Sequence, residues 1–212
     1  MTVEAKICGI TSPEAITAAA GGGARFIGFV FYAPSPRNVT VAKAAQLVSM
    51  VPAPIQKVGL FVDAADAAIA EVVGEVALDC LQLHGNETPE RVAAIRKQFG
   101  LPVMKAIRIG APSDLGQAAA YLEAADRLLF DSRSAAGGPP GGTGQAFEWK
   151  WLSGYDGPLP WMLSGGLNAS NVKEAVRQSG ARAVDVSSGV EDKPGHKDPG
   201  RIAEFLSAVA GL

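Results

Sequence analysis

Apolar and polar positions along this chain alternate between two kinds of segment. Short, near-continuous apolar runs occupy Ala5–Cys8, Phe26–Phe31, Lys57–Val62, Leu78–Leu83, Val103–Ile107, Arg127–Asp131, Pro160–Leu163 and Ala183–Val186. Runs of that length, near-continuous in apolar residues, predict strands covered on both faces. Between them lie Ala/Glu/Arg-rich segments of helical length at Pro13–Ala20, Val41–Met50, Ala64–Val73, Pro89–Phe99, Ser113–Ala124 and Ala169–Gln178. Ser12-Pro13-Glu14 and Thr88-Pro89-Glu90 each offer a hydroxyl at N-cap, proline at N1 and an acid in the first turn, which starts a helix. Gly180 fits a C-cap.

Eight such strand–helix units in 212 residues predict a compact (β/α)8 barrel, one domain over residues 1–212. A doubly wound open sheet is the alternative. It usually carries fewer strands and a glycine-rich fingerprint after the first. Here the first strand ends in Cys8-Gly9-Ile10-Thr11, which lacks that fingerprint. One region breaks the rhythm: Ser132–Phe147, "SRSAAGGPPGGTGQAF", is rich in Gly and Pro and long for a loop of this class.

Composition narrows the class. Hydrophobic residues make up 48% and charged residues 19%, an ordinary globular balance. The net charge is -2 with the basic residues scattered, so a nucleic-acid partner is not expected. Cys8 and Cys80 are the only cysteines, too few for a disulfide framework. No basic leader followed by an apolar core opens the chain, and no run approaches a membrane span of about 18 residues. The expectation is a cytoplasmic protein without membrane contact, monomeric, with a homodimer left open.

In a barrel, functional groups sit at the carboxyl ends of the strands. Those ends supply Cys8, Tyr32–Arg37, Asp63, His84, Arg108, Asp131, Ser164–Gly166 and Ser187–Gly189. The late turns "LSGGLNASNV" (163–172) and "VDVSSGVE" (184–191) follow strands seven and eight, where barrels build phosphate sites. Gly165, Gly166, Ser187 and Ser188 are the candidates for holding a phosphate monoester through backbone N–H groups. Cys8 reads either as a small buried hydrophobe or as a thiol facing a ligand, and Cys80 serves as the buried control. Asp131 reads as a loop-capping carboxylate or as an acid/base group. His84 is either a donor toward ligand or a packing residue. Two histidines cannot build a His-rich cage, so no metal is expected. Arg37 is either a solvated loop side chain or a clamp for a carboxylate.

The motifs "KICGIT" (6–11), "GFVFYAPSPR" (28–37), "VGLFV" (58–62), "LQLHG" (81–85), "GGTGQAFEW" (141–149), "LSGGL" (163–167), "VDVSSGVE" (184–191) and "PGHKD" (194–198) run through nearly the whole chain in order. Together they resemble the phosphoribosylanthranilate isomerases, small barrel enzymes of tryptophan biosynthesis. The resemblance implies an Amadori rearrangement of N-(5′-phosphoribosyl)anthranilate, a small phosphorylated substrate, with no cofactor. It also implies Cys8 as general base, Asp131 as general acid, Arg37 on the anthranilate carboxylate and the two late turns on the phosphate. Asn38 stands where an aromatic residue is common in the family, and "GQAF" where "GKTF" is expected. A histidine-pathway isomerase would show two aspartates as acid and base, whereas strand one here offers Cys8. A tryptophan synthase α-type lyase and a non-catalytic phosphate-binding barrel are the remaining alternatives, and the pairing of Cys8 with Asp131 argues against the latter.

Overall fold

The computed structural model describes residues 2–133 and 147–212. Most of the Gly/Pro-rich segment Ser132–Phe147, including "GQAF" up to its phenylalanine, lies outside the described residues. Eight parallel strands close into a barrel: β1 (Glu4–Cys8), β2 (Phe26–Phe31), β3 (Gln56–Phe61), β4 (Cys80–Leu83), β5 (Val103–Ile109), β6 (Arg127–Ser132), β7 (Trp161–Leu163) and β8 (Ala183–Val186). Closure is made by β8 against β1, from Glu4↔Ala183 to Ile7↔Val186.

Strand side chains alternate, and the alternation sorts them into two cores. Ile7, Ile27, Phe29, Leu81, Leu83, Ile107, Phe130, Leu163 and Val184 join the layer under the helices. Phe26, Val58, Cys80, Met104, Ala106, Leu129, Met162 and Ala183 form a separate cluster that fills the barrel's interior. Positions of that same inward parity, one or two steps further along each strand, are Lys6 and Cys8, Gln82 and His84, Asp131, Ser164, Asp185 and Ser187. The barrel is thus apolar in its middle and polar toward its carboxyl mouth.

The outer elements follow from local signals. Helix α1 (Pro13–Gly21) starts with Ser12 Oγ accepting from the Ala15 amide at 3.3 Å, and α4 (Pro89–Phe99) starts with Thr88 Oγ1 accepting from Arg91 at 3.3 Å. Helices α2 (Val41–Val48), α3 (Asp66–Glu75), α5 (Val172–Ser179) and α6 (Pro199–Ala210) complete the α-helical set among the described residues. Gly180 caps α5 in the left-handed conformation at φ 73°.

Three features differ from the sequence pattern. The helix expected over Ser113–Ala124 is a 3₁₀ segment, Pro112–Tyr121. Asp114 there turns back to accept from Gly110 and Ala111 at 2.8 and 2.9 Å, and Gly116 lies inside the stretch, so the tighter turn prevails over an α-helix. Leu78 and Asp79 precede rather than enter β4, which makes Cys80 its first residue instead of a mid-strand one. After β8 the chain forms a 3₁₀ turn (Ser188–Val190) and a hairpin of β9 (Glu191–Lys193) and β10 (His196–Lys197) before α6. Among the described residues, no helix is long and apolar enough to cross a membrane.

Candidate active site

A cavity of about 60 Å³ at the carboxyl mouth is lined by Cys8, Arg37, His84, Asp131, Ser164, Asp185 and Ser187, with Val30, Tyr32, Leu60 and Val62 as its apolar wall. Of the sequence-derived candidates, Cys8, Arg37, His84, Asp131, Ser164 and Ser187 meet here, whereas Gly165, Gly166 and Ser188 do not line the cavity. Asp63 and Arg108 do not line this cavity. Asp63, at φ 48°, accepts from the Asn86 amide at 2.6 Å, and Arg108 donates to the His84 carbonyl at 3.0 Å, so both brace the loop after β4.

Cys8 ends β1 opposite Gly28 of β2. A Cβ on Gly28 would stand 3.1 Å from Cys8 Sγ and 3.2 Å from Lys6 Nζ, so the glycine leaves room for thiol and ammonium side by side. Lys6 is fully buried and donates to Asp185 Oδ1 at 2.8 Å, and Ser164 donates to Asp185 Oδ2 at 3.1 Å. Burial opposes the charge on Lys6, but Asp185 and Cys8 outweigh it and hold the ammonium above its ordinary pKa. Burial pushes the Cys8 thiol up, the neighbouring Lys6 pulls it back down, and Asp185 pushes it up again. Cys80 is pushed up to about 11 by burial, which Arg127 and Lys6 only partly offset. Lys6 and Asp185 escaped the sequence reading. Their signal was present: a charge at an inward-facing position of a strand otherwise apolar.

Asp131 lies on β6, which runs one residue further to Ser132. Its Oδ1 accepts from the Ser132 amide at 2.8 Å, and its Oδ2 lies 3.1 Å from His84 Nε2. His84 Nδ1 in turn lies 2.9 Å from Gln82 Nε2. His84 is therefore neither free in the loop nor simply packed; it is bonded to the candidate acid. A buried ion pair holds the loop that carries it. Lys105 Nζ donates to Gly85 O at 2.8 Å and Glu87 Oε2 at 2.7 Å, and Glu87 Oε1 accepts from Asp63 and Gly85 amides. Burial depresses Lys105, and at Glu87 the same burial is outweighed by Lys105, which holds the carboxyl low.

Arg37 is not a solvated arginine. Its Nε and Nη2 donate to Glu191 at 2.7 and 2.9 Å, and its side chain is 11% exposed. The guanidinium keeps its Nη1 edge for a second acceptor. Gly9, at φ 82°, lets the Arg37 side chain pass, since a Cβ there would stand 2.6 Å from Arg37 Cδ. Glu191 also accepts from Lys197 at 2.5 Å, so one carboxylate ties two cations. Burial works against the Glu191 charge, but Arg37 and Lys197 overcome it and depress its pKa.

The two late turns pack against each other. Gly165 and Gly166 take φ 92° and 67°, and a Cβ on Gly189 would overlap the Leu167 carbonyl. Only glycine fits the last of these positions without moving the backbone. No Lys or Arg lies within either turn, yet Lys197 reaches in from β10 and donates to Ser187 O at 3.1 Å and Ser187 Oγ at 3.2 Å. Among the described residues, no group of three or more His, Cys, Asp or Glu converges as metal ligands would.

This arrangement has counterparts among known proteins. The family model for N-(5′-phosphoribosyl)anthranilate (PRA) isomerase matches residues 5–208. The chain belongs to this isomerase family. It is 55% identical to the N-(5′-phosphoribosyl)anthranilate isomerase of Rhodospirillum centenum over 100% of both chains. It is 54% identical to that of Paramagnetospirillum magneticum, covering 100% of this chain and 99% of the relative. The crystal structure of phosphoribosyl anthranilate isomerase from Thermotoga maritima matches at a TM-score of 0.89, with 34% identity over 100% of each chain. A second solved structure, of a phosphoribosyl anthranilate isomerase in complex with reduced 1-(o-carboxyphenylamino)-1-deoxyribulose 5-phosphate, matches at 0.87 with 34% identity over 100% of each chain. In this family member, then, the cavity holding Cys8 and Asp131 sits at the end of the barrel where such folds carry their chemistry.

Proposed function

We propose that Cys8 and Asp131 are the general base and general acid of this isomerase. Its reaction converts N-(5′-phosphoribosyl)anthranilate to 1-(2-carboxyphenylamino)-1-deoxyribulose 5-phosphate, an aldose-to-ketose step of tryptophan biosynthesis. The observation that carries the assignment is the shared cavity: a thiol beside a buried ammonium and a carboxyl group with one oxygen free of backbone bonds line the same mouth.

The chemistry follows from the positions. Asp131 protonates the ribose ring oxygen, the C1–O bond breaks, and the anilino nitrogen's lone pair forms the iminium. The iminium acidifies the C2 proton, which the Cys8 thiolate removes with Lys6 stabilising the thiolate. The enolamine then tautomerises to the ketone. Each acid/base group contributes about 10²–10⁴-fold. The Nη1 edge of Arg37 holds the anthranilate carboxylate while its other edge stays on Glu191. Gly165, Gly166, Ser187 and Ser188 hold the phosphate through backbone N–H groups, with the Lys197 ammonium behind Ser187 adding charge. The rearrangement is an internal redox shift and needs no cofactor. The protein acts as a cytoplasmic monomer in this reading.

The test uses freshly generated substrate and follows the loss of anthranilate-type fluorescence. Cys8→Ala and Asp131→Asn should each lower kcat by two orders of magnitude or more, on the order of one acid/base contribution, while Cys80→Ala stays near wild type. Wild-type turnover in the Cys8→Ala enzyme would refute the base.

A further inference from the structure

Gln82 is fully buried inside the barrel, on the inward face of β4. Its amide makes one side-chain hydrogen bond among the described residues, Nε2 to His84 Nδ1 at 2.9 Å, and its Oε1 is buried with no partner. A buried unpaired acceptor costs about 1–3 kcal/mol. An apolar side chain of the same length would fill the space without that cost. The amide therefore has no packing reason to be here, and among the described residues its one side-chain hydrogen bond is to the imidazole that touches Asp131.

The hydrogen-bond chain has a direction. With the amide nitrogen of Gln82 facing Nδ1, that ring nitrogen carries a lone pair and the ring's single proton sits on Nε2; the flipped amide would instead accept from Nδ1–H and give the other tautomer. Nε2–H then donates to Asp131 Oδ2 at 3.1 Å. Asp131 Oδ1 is already occupied by the Ser132 amide, so an acidic proton on this carboxyl resides on Oδ2. That oxygen can accept from Nε2–H while its own O–H points into the cavity. The reverse tautomer would do harm. A bare Nε2 facing Asp131 Oδ2 would accept the carboxyl's O–H and turn that proton away from the cavity. The acid would then be spent on its neighbour.

We propose that Gln82 is a positioning residue for catalysis: it fixes His84 as the neutral Nε2–H tautomer, so that the imidazole orients Asp131 without capturing its proton. This rests on Asp131 being the general acid. The role of Gln82 is to hold a proton in place, and none is transferred through it.

The test combines ¹⁵N NMR of histidine-labelled protein with kinetics. The ring nitrogens of His84 are distinguished from those of His196 by the exposed-site variant His196→Asn. Wild type should show a neutral Nε2–H tautomer at His84 in the absence of substrate. Gln82→Met should stay close to wild type in heat stability, since it removes the unpaired Oε1 but leaves His84 Nδ1 without its partner. Its His84 signal should leave the Nε2–H form, and kcat should fall about tenfold or more with KM within about twofold, the pattern of an interaction used in the transition state. Gln82→Glu should move His84 to the imidazolium, because a carboxylate accepts from Nδ1–H. A wild-type His84 that is Nδ1–H or doubly protonated would overturn the proposal. So would a Gln82→Met enzyme that keeps both the tautomer and kcat. The spectra need no substrate, so they judge Gln82 separately from the acid role of Asp131, which the Asp131→Asn kinetics judge.

Discussion

Replacing Lys6 by methionine removes the ammonium that Asp185 holds at 2.8 Å and leaves a carboxylate, 4% exposed, with Ser164 as its remaining side-chain donor among the described residues. Breaking a buried ion pair from one side costs about 3–5 kcal/mol, most of it the penalty of the stranded charge. A second change, Asp185→Asn, takes that charge away. The double variant should therefore recover most of the stability lost by Lys6→Met, and urea unfolding of the two proteins measures the difference.

The same substitution acts on Cys8. Lys6 pulls the thiol pKa down against burial, and Asp185 pushes it up. Losing a neighbouring charge of this kind moves a pKa by about 1–3 units. In a Cys80→Ala background, the pH midpoint for alkylation of Cys8 by iodoacetamide should rise by that amount in Lys6→Met. In the double variant it should fall between Lys6→Met and wild type, because the two removals act in opposite directions. Turnover at neutral pH should drop about tenfold or more with the thiolate fraction. The stability linkage has its own sign. The folded pKa of Lys6 is raised, so its contribution is complete below the ordinary lysine value of about 10.4 and fades only as pH climbs through the folded value. The wild-type advantage over the double variant should be flat from pH 6 to about 9. An alkylation midpoint equal in wild type and Lys6→Met would sink the claim that this lysine tunes the base.

Arg37→Met should raise KM well beyond its effect on kcat, and a substrate analogue lacking the carboxylate should bind variant and wild type alike; an analogue that separates them as strongly as the true substrate does would remove Arg37 from that role. Gly166→Val should weaken inorganic phosphate binding, read by isothermal titration, because a β-branched residue resists φ 67° and reshapes the turn, with no charge altered. Retention of phosphate affinity in that variant would place the anion elsewhere.

How much of this was legible in the sequence depended on which physical signal carried it. The eight apolar runs marked the eight strands, because burial on both faces demands apolar side chains whatever their direction. Candidates at strand ends were found by the rule that barrel chemistry sits there, and Cys8, His84 and Asp131 do meet in one cavity. The helix after β5 was misread because propensity over Ser113–Ala124 favours an α-helix, while Asp114's bonds to Gly110 and Ala111 decide the geometry and cannot be inferred from composition. Arg37's partner was hidden for a similar reason. Glu191 is 154 residues away, on a hairpin that the apolar pattern of the strands gives no cause to expect.

Parity also explains the residues that were overlooked. Lys6 and Gln82 lie within runs read only as near-continuously apolar, yet each shares its strand face with the residue two positions on, Cys8 and His84. In a strand the side chain at i+2 returns to the same face, so the residue two before a mouth group lies directly beneath it. A charged or amide side chain in that place is buried by construction and must find its partner inside the barrel. Lys6 finds Asp185 and Gln82 finds His84. Asp185 stands in the same relation to Ser187 on β8, whose hydroxyl donates to the Cys8 carbonyl at 3.1 Å. The second polar tier therefore supports the first from below: Lys6 beneath the thiol, Gln82 beneath the imidazole, Asp185 beneath the serine of the turn after β8. Exchanging a mouth residue should alter the chemistry directly, whereas exchanging its tier-two neighbour should alter a charge, a tautomer or an orientation first and turnover only through it.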